Sequence, residues 1–149
     1  MSLDTAVAAI SDRAKSLWPG LEAAVPLAFP NETKATDGTE LPPRNNAGQP
    51  MPFLMIEVRW SGGGFVSVGS PGNNLARREG LIWCFAFIPQ GQGEARAHQL
   101  AAEAAGMFEG QAFSGVVCQA MEPGGEAGDE EGLYFGQSAA VPFDFDETA

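Results

Sequence analysis

The chain has few of the residues on which catalytic and metal sites depend. Among its 149 residues are one histidine and two cysteines. A triad built on His98 would need a serine or cysteine and an acid close by in space, and we interpret His98 as a surface residue. Cys84 and Cys118 lie in separate apolar segments without CxxC spacing, which favours buried, reduced thiols. The sequence therefore predicts no enzyme activity, no catalytic residues, no metal and no cofactor.

Complete motifs for phosphate or calcium binding are also lacking. Gly91-Gln-Gly93 precedes a predicted helix, but Arg96 stands where the third glycine of G-x-G-x-x-G would be. We interpret the two glycines as a strand-to-helix turn. The acidic residues between 126 and 131 lack the D-x-[DN]-x-[DN]-G pattern of a calcium loop. A solvated loop is the simplest interpretation, and a partner contact and a metal site remain as alternatives.

Basic residues are absent from the last third of the chain. All eight Lys and Arg residues lie at or before Arg96, whereas ten of the 19 acidic residues follow it. Nearly all of the net charge of −11 therefore belongs to this part of the chain. Such a surface repels phosphate groups, so direct binding to nucleic acid is not expected.

Long apolar runs are missing as well. No run approaches the roughly 18–20 residues that a membrane-spanning helix needs. The N-terminus lacks a charged region followed by a long apolar one, so no signal peptide is expected. A chain of 149 residues is expected to form a single domain, 1–149, around one core.

The most informative segment that is present runs from Leu75 to Phe108. Residues 75–89 predict a strand that is apolar on both faces, because side chains alternate along a strand. One face would carry Leu81, Trp83, Phe85 and Phe87, and the other would carry Ile82, Cys84, Ala86 and Ile88. Such a strand needs a central place in the sheet or a neighbouring subunit.

After Pro89, an Ala-rich helix is predicted over residues 94–108. Its apolar stripe follows the i, i+3, i+4, i+7 spacing and consists of Ala97, Leu100, Ala101, Ala104, Met107 and Phe108. A second helix is predicted over residues 2–17, capped by Ser2 and ended by Trp18-Pro19-Gly20. Its stripe would consist of Leu3, Val7, Ile10, Ala14 and Leu17.

The remaining apolar segments predict strands. They are residues 25–29 at a sheet edge, 53–60, 65–68, 113–121 and 133–145, with a turn at 61–64. Pro142 places the last strand at an edge. The fold class predicted is α/β (α+β): a mostly antiparallel sheet of four to five strands packed by two main helices.

Two polar segments have no apolar periodicity. Residues 31–52 are rich in Pro, Gly, Thr and Asn and predict a mobile loop. An interaction loop and a plain disordered linker are both open for this segment. Residues 122–132 predict an acidic, glycine-rich loop.

The segment from Arg77 to the end of the second predicted helix resembles the tail terminator proteins of long-tailed phages and related phage domains of unknown function. The features that carry this resemblance are the Arg-x-x-Gly sequence from Arg77 to Gly80, the apolar strand ending in Pro89, the short Gly-rich link and the helix after it. An N-terminal helix, a Pro-containing segment at 25–31 and a closing strand extend this resemblance over most of the chain. The resemblance implies an α/β subunit that forms a homo-oligomeric ring, a hexamer. It also implies that the ring caps the tail tube protein, stops tube polymerisation and joins the head-side connector protein, within a virion tail assembled in the host cytoplasm.

The charge distribution suggests surfaces on which such a ring could be built. Arg77 and Arg78 would meet acidic residues of the next subunit, or would be solvated charges on a monomer. The candidate acidic partners are Glu126, Asp129, Glu130, Glu131, Asp144 and Asp146, with Glu147 beside them. Two other functions stay open: a head–tail connector or other minor tail protein, and a small ligand-binding or enzyme domain with a pocket near Trp60 and Trp83.

Overall fold

The computed structural model describes residues 1–128 and 132–148. Within them the chain forms an α+β fold of two helices and one sheet. The elements are α1 (Leu3–Leu21), β1 (Leu27–Ala28), β2 (Phe53–Phe65), β3 (Leu75–Pro89), α2 (Ala95–Gly106), β4 (Ala112–Phe113), β5 (Val116–Cys118), β6 (Glu122–Gly128) and β7 (Tyr134–Thr148). The α+β class and the two helices are confirmed. None of the helices in these residues is long and apolar enough to cross a membrane.

The sheet is larger than predicted and is mixed. Its order is β1-β2-β3-β7-β5-β4, and β6 pairs with another part of β7. β1 runs parallel to β2, and the other pairings among the described residues are antiparallel. The prediction of four to five mostly antiparallel strands is therefore corrected to a mixed sheet of seven strands in the part of the chain described. One extra strand arises because Ser114 and Gly115, both at positive φ, split the predicted segment 113–121 into the β4–β5 hairpin.

The second extra strand, β6, lies in the segment that was predicted to be an acidic loop. β6 pairs with β7 and has an irregularity between Pro123 and Glu126. At this point Gly124 approaches Ser138 so closely that a Cβ would overlap the serine side chain. Ser138 Oγ donates a hydrogen bond of 2.8 Å to Gly125 O. The loop prediction for 122–128 was wrong because this strand is held by backbone pairing and has no apolar face to give a sequence signal.

Of the two alternatives for the strand at 75–89, a central place in the sheet or a neighbouring subunit, the structure shows the central place. β3 lies between β2 and β7 over its full length. Its inner face is completely buried, and the residues on it are Ile82, Cys84, Ala86 and Ile88. The predicted stripe of α2 is also buried throughout, from Ala97 to Phe108, and α2 packs on β3 and β7. These elements form one core, to which α1 contributes Ile10 and Trp18.

The first helix is longer than predicted and turned about its axis. It begins after Ser2, whose backbone N–H donates to Thr5 Oγ1 at 2.9 Å, and it continues through Pro19 to Leu21. The buried residues are Ala6, Ile10, Ala14 and Trp18, whereas Leu3 and Leu17 are 47% and 38% exposed. Trp18 Nε1 donates to Val25 O at 2.8 Å in the interior. This anchor gives the last turn a tertiary contact, so Trp18-Pro19-Gly20 does not end the helix as predicted.

The chain does not turn at the Gly-rich segment 61–64, as predicted, but continues as β2 to Phe65. An irregularity lies between Trp60 and Gly62, after which Gly62, Gly63 and Gly64 pair with Glu79, Arg78 and Arg77 of β3. The turn lies at 66–74, and no return strand forms at 65–68. β2 continues through the glycines because β3 begins at Leu75, and its backbone groups pair with β2 along the whole segment.

Pro142 does not mark an edge strand. β7 pairs with β3 on one side, and on the other side with β6 up to Ala140 and with β5 from Phe143. Pro142 lies in the gap between those two partners, where its missing N–H breaks no ladder. The edge position predicted for 25–29 is confirmed by β1, which ends the sheet order.

Residues 31–52 contain two short turns that rest on the sheet. Isolated bridges join Lys34 to Glu40 and Arg44 to Pro50. Ala35 is buried, and Tyr134 Oη donates a buried hydrogen bond of 2.9 Å to Pro43 O. The segment therefore has local order and tertiary contacts. Its predicted mobility in solution stays a prediction.

The core assignment predicts a clear difference between two leucines. Leu100→Ala should lower the free energy of unfolding by about 2–5 kcal/mol, because it leaves a cavity between α2 and the sheet. Leu21→Ala is the matched control, since Leu21 is exposed at the end of α1, and it should change stability by less than about 0.5 kcal/mol. Urea unfolding followed by circular dichroism measures both. Equal losses in the two variants would contradict this packing of α2.

Candidate interaction surface

Among residues 1–128 and 132–148, no helix covers one of the two faces of the sheet. Both helices belong to the core on the inner face, beside Ile56, Ile82 and Val141. The register of β2, β3 and β7 places a second set of side chains on the opposite, outer face. Its apolar members are of two kinds: Met55, Leu81, Trp83, Phe85 and Phe87 are half-buried, whereas Phe53 and Tyr134 are buried. The second face predicted for β3 is thus a surface of the single chain.

Aromatic rings form a continuous row on this outer face. Phe53 and Phe87 stack with ring centroids 4.9 Å apart, Phe87 and Phe85 are 6.4 Å apart, and Phe85 and Trp83 are 5.8 Å apart. Tyr134 meets Phe53 edge-on at 5.3 Å. Ring pairs of this kind contribute about 0.5–1.5 kcal/mol beyond burial. The row is therefore a preorganised apolar surface, with its rings already oriented.

The Arg59 guanidinium covers one end of the row. It lies 5.6 Å from the ring centroids of both Trp83 and Phe85. Arg59 Nη2 also pairs with Glu57 Oε2 at 2.9 Å. A cation held over aromatic faces by a neighbouring carboxylate gives this end a polar border.

A groove of about 750 Å³ lies at the other end of the row. The outer face provides one side of it through Phe53, Met55 and Phe87, and residues 31–52 provide another through Leu41. Arg44 and Glu32 supply charge at the lining. Its volume falls in the range of roughly 300–1,000 Å³ that is usual for ligand sites. The groove can therefore accept either a small molecule or a few apolar side chains.

An exposed apolar tip lies at the far end of β2 and β3. We call residues 61–75 the arm: the last part of β2, the turn at 66–74 and the first residue of β3. Phe65 is 67% exposed and Val68 is fully exposed. The turn is held by bonds from Val66 N–H to Leu75 O at 2.8 Å and from Leu75 N–H to Ser67 Oγ at 2.6 Å. No charged residue occurs from Trp60 to Ala76.

Ion pairs at the base of the arm bring several of the predicted interface residues together within one chain. Arg77 donates two bonds to Asp146, Nε to Oδ1 at 2.8 Å and Nη2 to Oδ2 at 3.1 Å. Asp144 lies 3.9 Å from Arg77, and Arg78 Nε pairs with Glu147 at 2.7 Å. These charges have partners in the subunit itself. Their use across a subunit boundary stays a prediction, and it would require the pairs to be shared or exchanged.

The Arg77–Asp146 pair changes the titration of both groups. Hydrogen bonds from Arg77 lower the pKa of the Asp146 carboxyl below its usual range. The same contact raises the pKa of Arg77. Both shifts favour the charged forms, so the pair is stable at neutral pH.

Glu126, from the predicted acidic loop, is not placed beside these arginines. Glu126 lies on β6 opposite Gln137, whereas Arg78 lies opposite Phe145 further along β7. Asp129, Glu130 and Glu131 lie outside the described residues. Glu126 is exposed, and it is available to a partner.

The groups considered for chemistry are separate from one another. His98 is exposed on α2, and Cys84 and Cys118 are free and buried. Burial raises the pKa of the Cys118 thiol to about 11, and that of Cys84 is raised for the same reason. Over residues 1–128 and 132–148, no three His, Cys, Asp or Glu side chains converge on a metal-sized site.

The sequence contained part of the signal for this surface. The two-faced pattern of β3 identified Trp83, Phe85 and Phe87, but Phe53, Met55 and Tyr134 join them only through the register. Trp60 and Trp83 do not line one common pocket, because Trp60 packs on the inner face against Phe143 and Phe145, whereas Trp83 lies on the outer face. The sequence predicted a turn at 61–64 and a separate strand at 65–68, because glycines are uncommon within strands and gave no signal that β2 continues.

Comparison with known proteins gives a shared fold. No protein-family model matches the chain, and no curated protein matches it. The chain is similar to a solved structure with a TM-score of 0.64 and 17% sequence identity, over 100% of this chain and 99% of that one. The name of that protein states no function. At this identity the similarity establishes the fold alone.

The Arg77–Asp146 pair makes a prediction about acid stability. Arg77→Met should raise the pKa of Asp146 toward its ordinary value of 3.8. Since the folded-state pKa is lowered, the pair stabilises the fold above the unfolded-state pKa, and this contribution is lost as pH falls through the folded-state value. NMR titration of the Asp146 carboxyl carbon measures the shift. Arg59→Met is the control, and an unchanged Asp146 pKa in Arg77→Met would contradict the pairing.

Proposed function

We propose that the protein is a phage tail terminator, a virion structural protein that forms a ring, caps the tail tube, stops its polymerisation and joins the head-side connector. The observation that carries the proposal is the half-exposed aromatic row of the outer face, together with the exposed apolar tip of the arm at the opposite end of the same strands. A ring subunit needs two different surfaces that fit each other, because head-to-tail contacts close by rotation. This subunit has two such surfaces.

The residues that carry the resemblance to tail terminators also have physical roles at the centre of the fold. Gly80 ends the Arg-x-x-Gly sequence, and a Cβ there would lie 2.8 Å from ring carbons of Phe143 and 2.9 Å from Arg59 O. Arg77 starts the sequence and makes the bidentate pair with Asp146. The short motif therefore joins three strands at the base of the arm. This role supports its use as a family signature.

The proposed partners follow from the proposed function. They are further copies of the chain, six in the ring by resemblance, the tail tube protein and the head-side connector protein. The proposed location is the virion tail, after assembly in the host cytoplasm. A head–tail connector or another minor tail protein would use the same kind of surface and is the neighbouring alternative.

The groove supports a second candidate of a different class, a small ligand-binding domain. Its volume and its mixed lining of aromatic rings with Arg44 and Glu32 suit a small apolar molecule that carries a polar group. Met55→Trp would fill this space. Binding of a small molecule in a thermal-shift screen, and its loss in Met55→Trp, would favour this candidate over the terminator.

The terminator proposal is tested on tail tubes. The purified protein, added while tube protein polymerises, should stop elongation and place a ring-shaped density at one tube end in electron micrographs. Phe85→Asp puts a charge on the outer face and should reduce capping, whereas Leu3→Asp, at an exposed position on α1, should not. Tubes that keep growing without end density in the presence of the wild-type protein would reject the proposal.

A further inference from the structure

We infer that the arm of one copy of this chain docks into the aromatic groove of a second copy. This inference rests on the proposed ring and identifies the contact that would build it. The arm supplies Phe65, Val66 and Val68, and the groove receives them between Leu41 and the rings of Phe53 and Phe87.

The first step is that the arm is exposed without a partner of its own chain to cover its tip. Phe65 and Val68 project from a turn whose backbone is fixed by hydrogen bonds to Leu75 and Ser67. Monomeric soluble proteins rarely display contiguous apolar patches of large area, and such patches mark interaction sites. The tip therefore presents Phe65, Val66 and Val68 as a small apolar docking element, next to uncharged polar residues of the turn.

The second step is that an arm seated in the groove must come from another copy. Phe53 and Phe65 stand at opposite ends of β2, twelve residues apart. At about 3.3 Å per residue the strand separates them by about 40 Å. Because β2 is paired to β3 along this length, the arm cannot fold back onto its own groove.

The third step is that the two surfaces match in chemistry. The arm has no charge from Ser61 to Leu75, so its insertion brings no additional ion into the groove. The groove floor is apolar and its rings are already stacked on one another. Arg44 and Glu32 can hydrogen-bond the exposed peptide groups of the turn at residues 66–74.

The fourth step concerns symmetry. The arm and the groove are different surfaces of one subunit, so the contact is head-to-tail and every subunit can both donate an arm and receive one. Such a contact yields a closed ring or an open filament. A dimer with two-fold symmetry through these surfaces alone would need both contacts at once across strands about 40 Å long.

Disulfide trapping tests the contact directly. A Val68→Cys subunit mixed with a Leu41→Cys subunit should give a cross-linked heterodimer under mild oxidation. The double variant, with both changes in one chain, should give a ladder of covalent oligomers. Val68→Cys mixed with Leu21→Cys is the control and should give no such product, since Leu21 is more exposed than Leu41 but lies on α1. The native Cys84 and Cys118 are buried and will not compete.

Charge insertion gives an independent measurement on a protein that stays folded. Val68→Glu should weaken self-association roughly tenfold or more in analytical ultracentrifugation, because a charge would enter an apolar groove. Leu21→Glu should leave it unchanged. Circular dichroism verifies that both variants fold.

The outcomes separate this inference from the proposed function. Rings that form equally well with Val68→Glu, and no trapped heterodimer, would overturn the arm contact while leaving the terminator proposal standing. Arm-dependent oligomers that do not cap tail tubes would support the contact and reject the terminator. A wild-type protein that is monomeric at every concentration and on tail tubes would overturn both.

Discussion

The backbone pairing of β3 with β2 and β7 is the constraint on which the other features depend. It fixes the register of three long strands, and the register decides which side chains meet on each face. On the inner face it aligns the small and branched residues that α2 packs against. On the outer face it aligns the rings of Phe53, Phe87, Phe85 and Trp83. The same ladder carries β2 and β3 beyond the body of the protein as the arm.

The two faces of β3 are packed in different ways. The inner face uses Ile82, Cys84, Ala86 and Ile88, whose modest size lets the alanines of α2 approach the sheet closely. The outer face has no helix above it among the described elements, so large flat rings cover one another instead. Stacking leaves the Trp83, Phe85 and Phe87 side chains partly exposed to solvent. This partial exposure is the physical basis for treating the face as an interaction surface.

Several parts of the structure followed from the sequence because their signal was local. The alternation in β3 and the 3.6-residue spacing in α2 predicted both elements and their buried residues. The parts that did not follow depended on distant partners. The face of α1 was set by the anchor from Trp18 to Val25, β6 by the free edge of β7, and the length of β2 by the start of β3.

The candidate surface was predicted in part for the same reason. Residues on β3 could be assigned to a second face from alternation alone, but the groove needs residues 31–52 folded against the sheet through Tyr134 and Pro43. Arg77 and Asp146 were both singled out from charge, and their pairing within one chain depended on the closing strand lying beside β3.

The glycines of β2 have a consequence for the unpaired edge of that strand. Beyond Met55, β2 has β3 on one side, and no other described strand pairs with its opposite edge. A flat edge of this length is a template for aggregation between chains. Gly62, Gly63 and Gly64 follow an irregularity and have low strand propensity, which makes the edge a poor template for further strands. β2 can therefore extend as far as Phe65, while the pairing of further strands with its unpaired edge is limited.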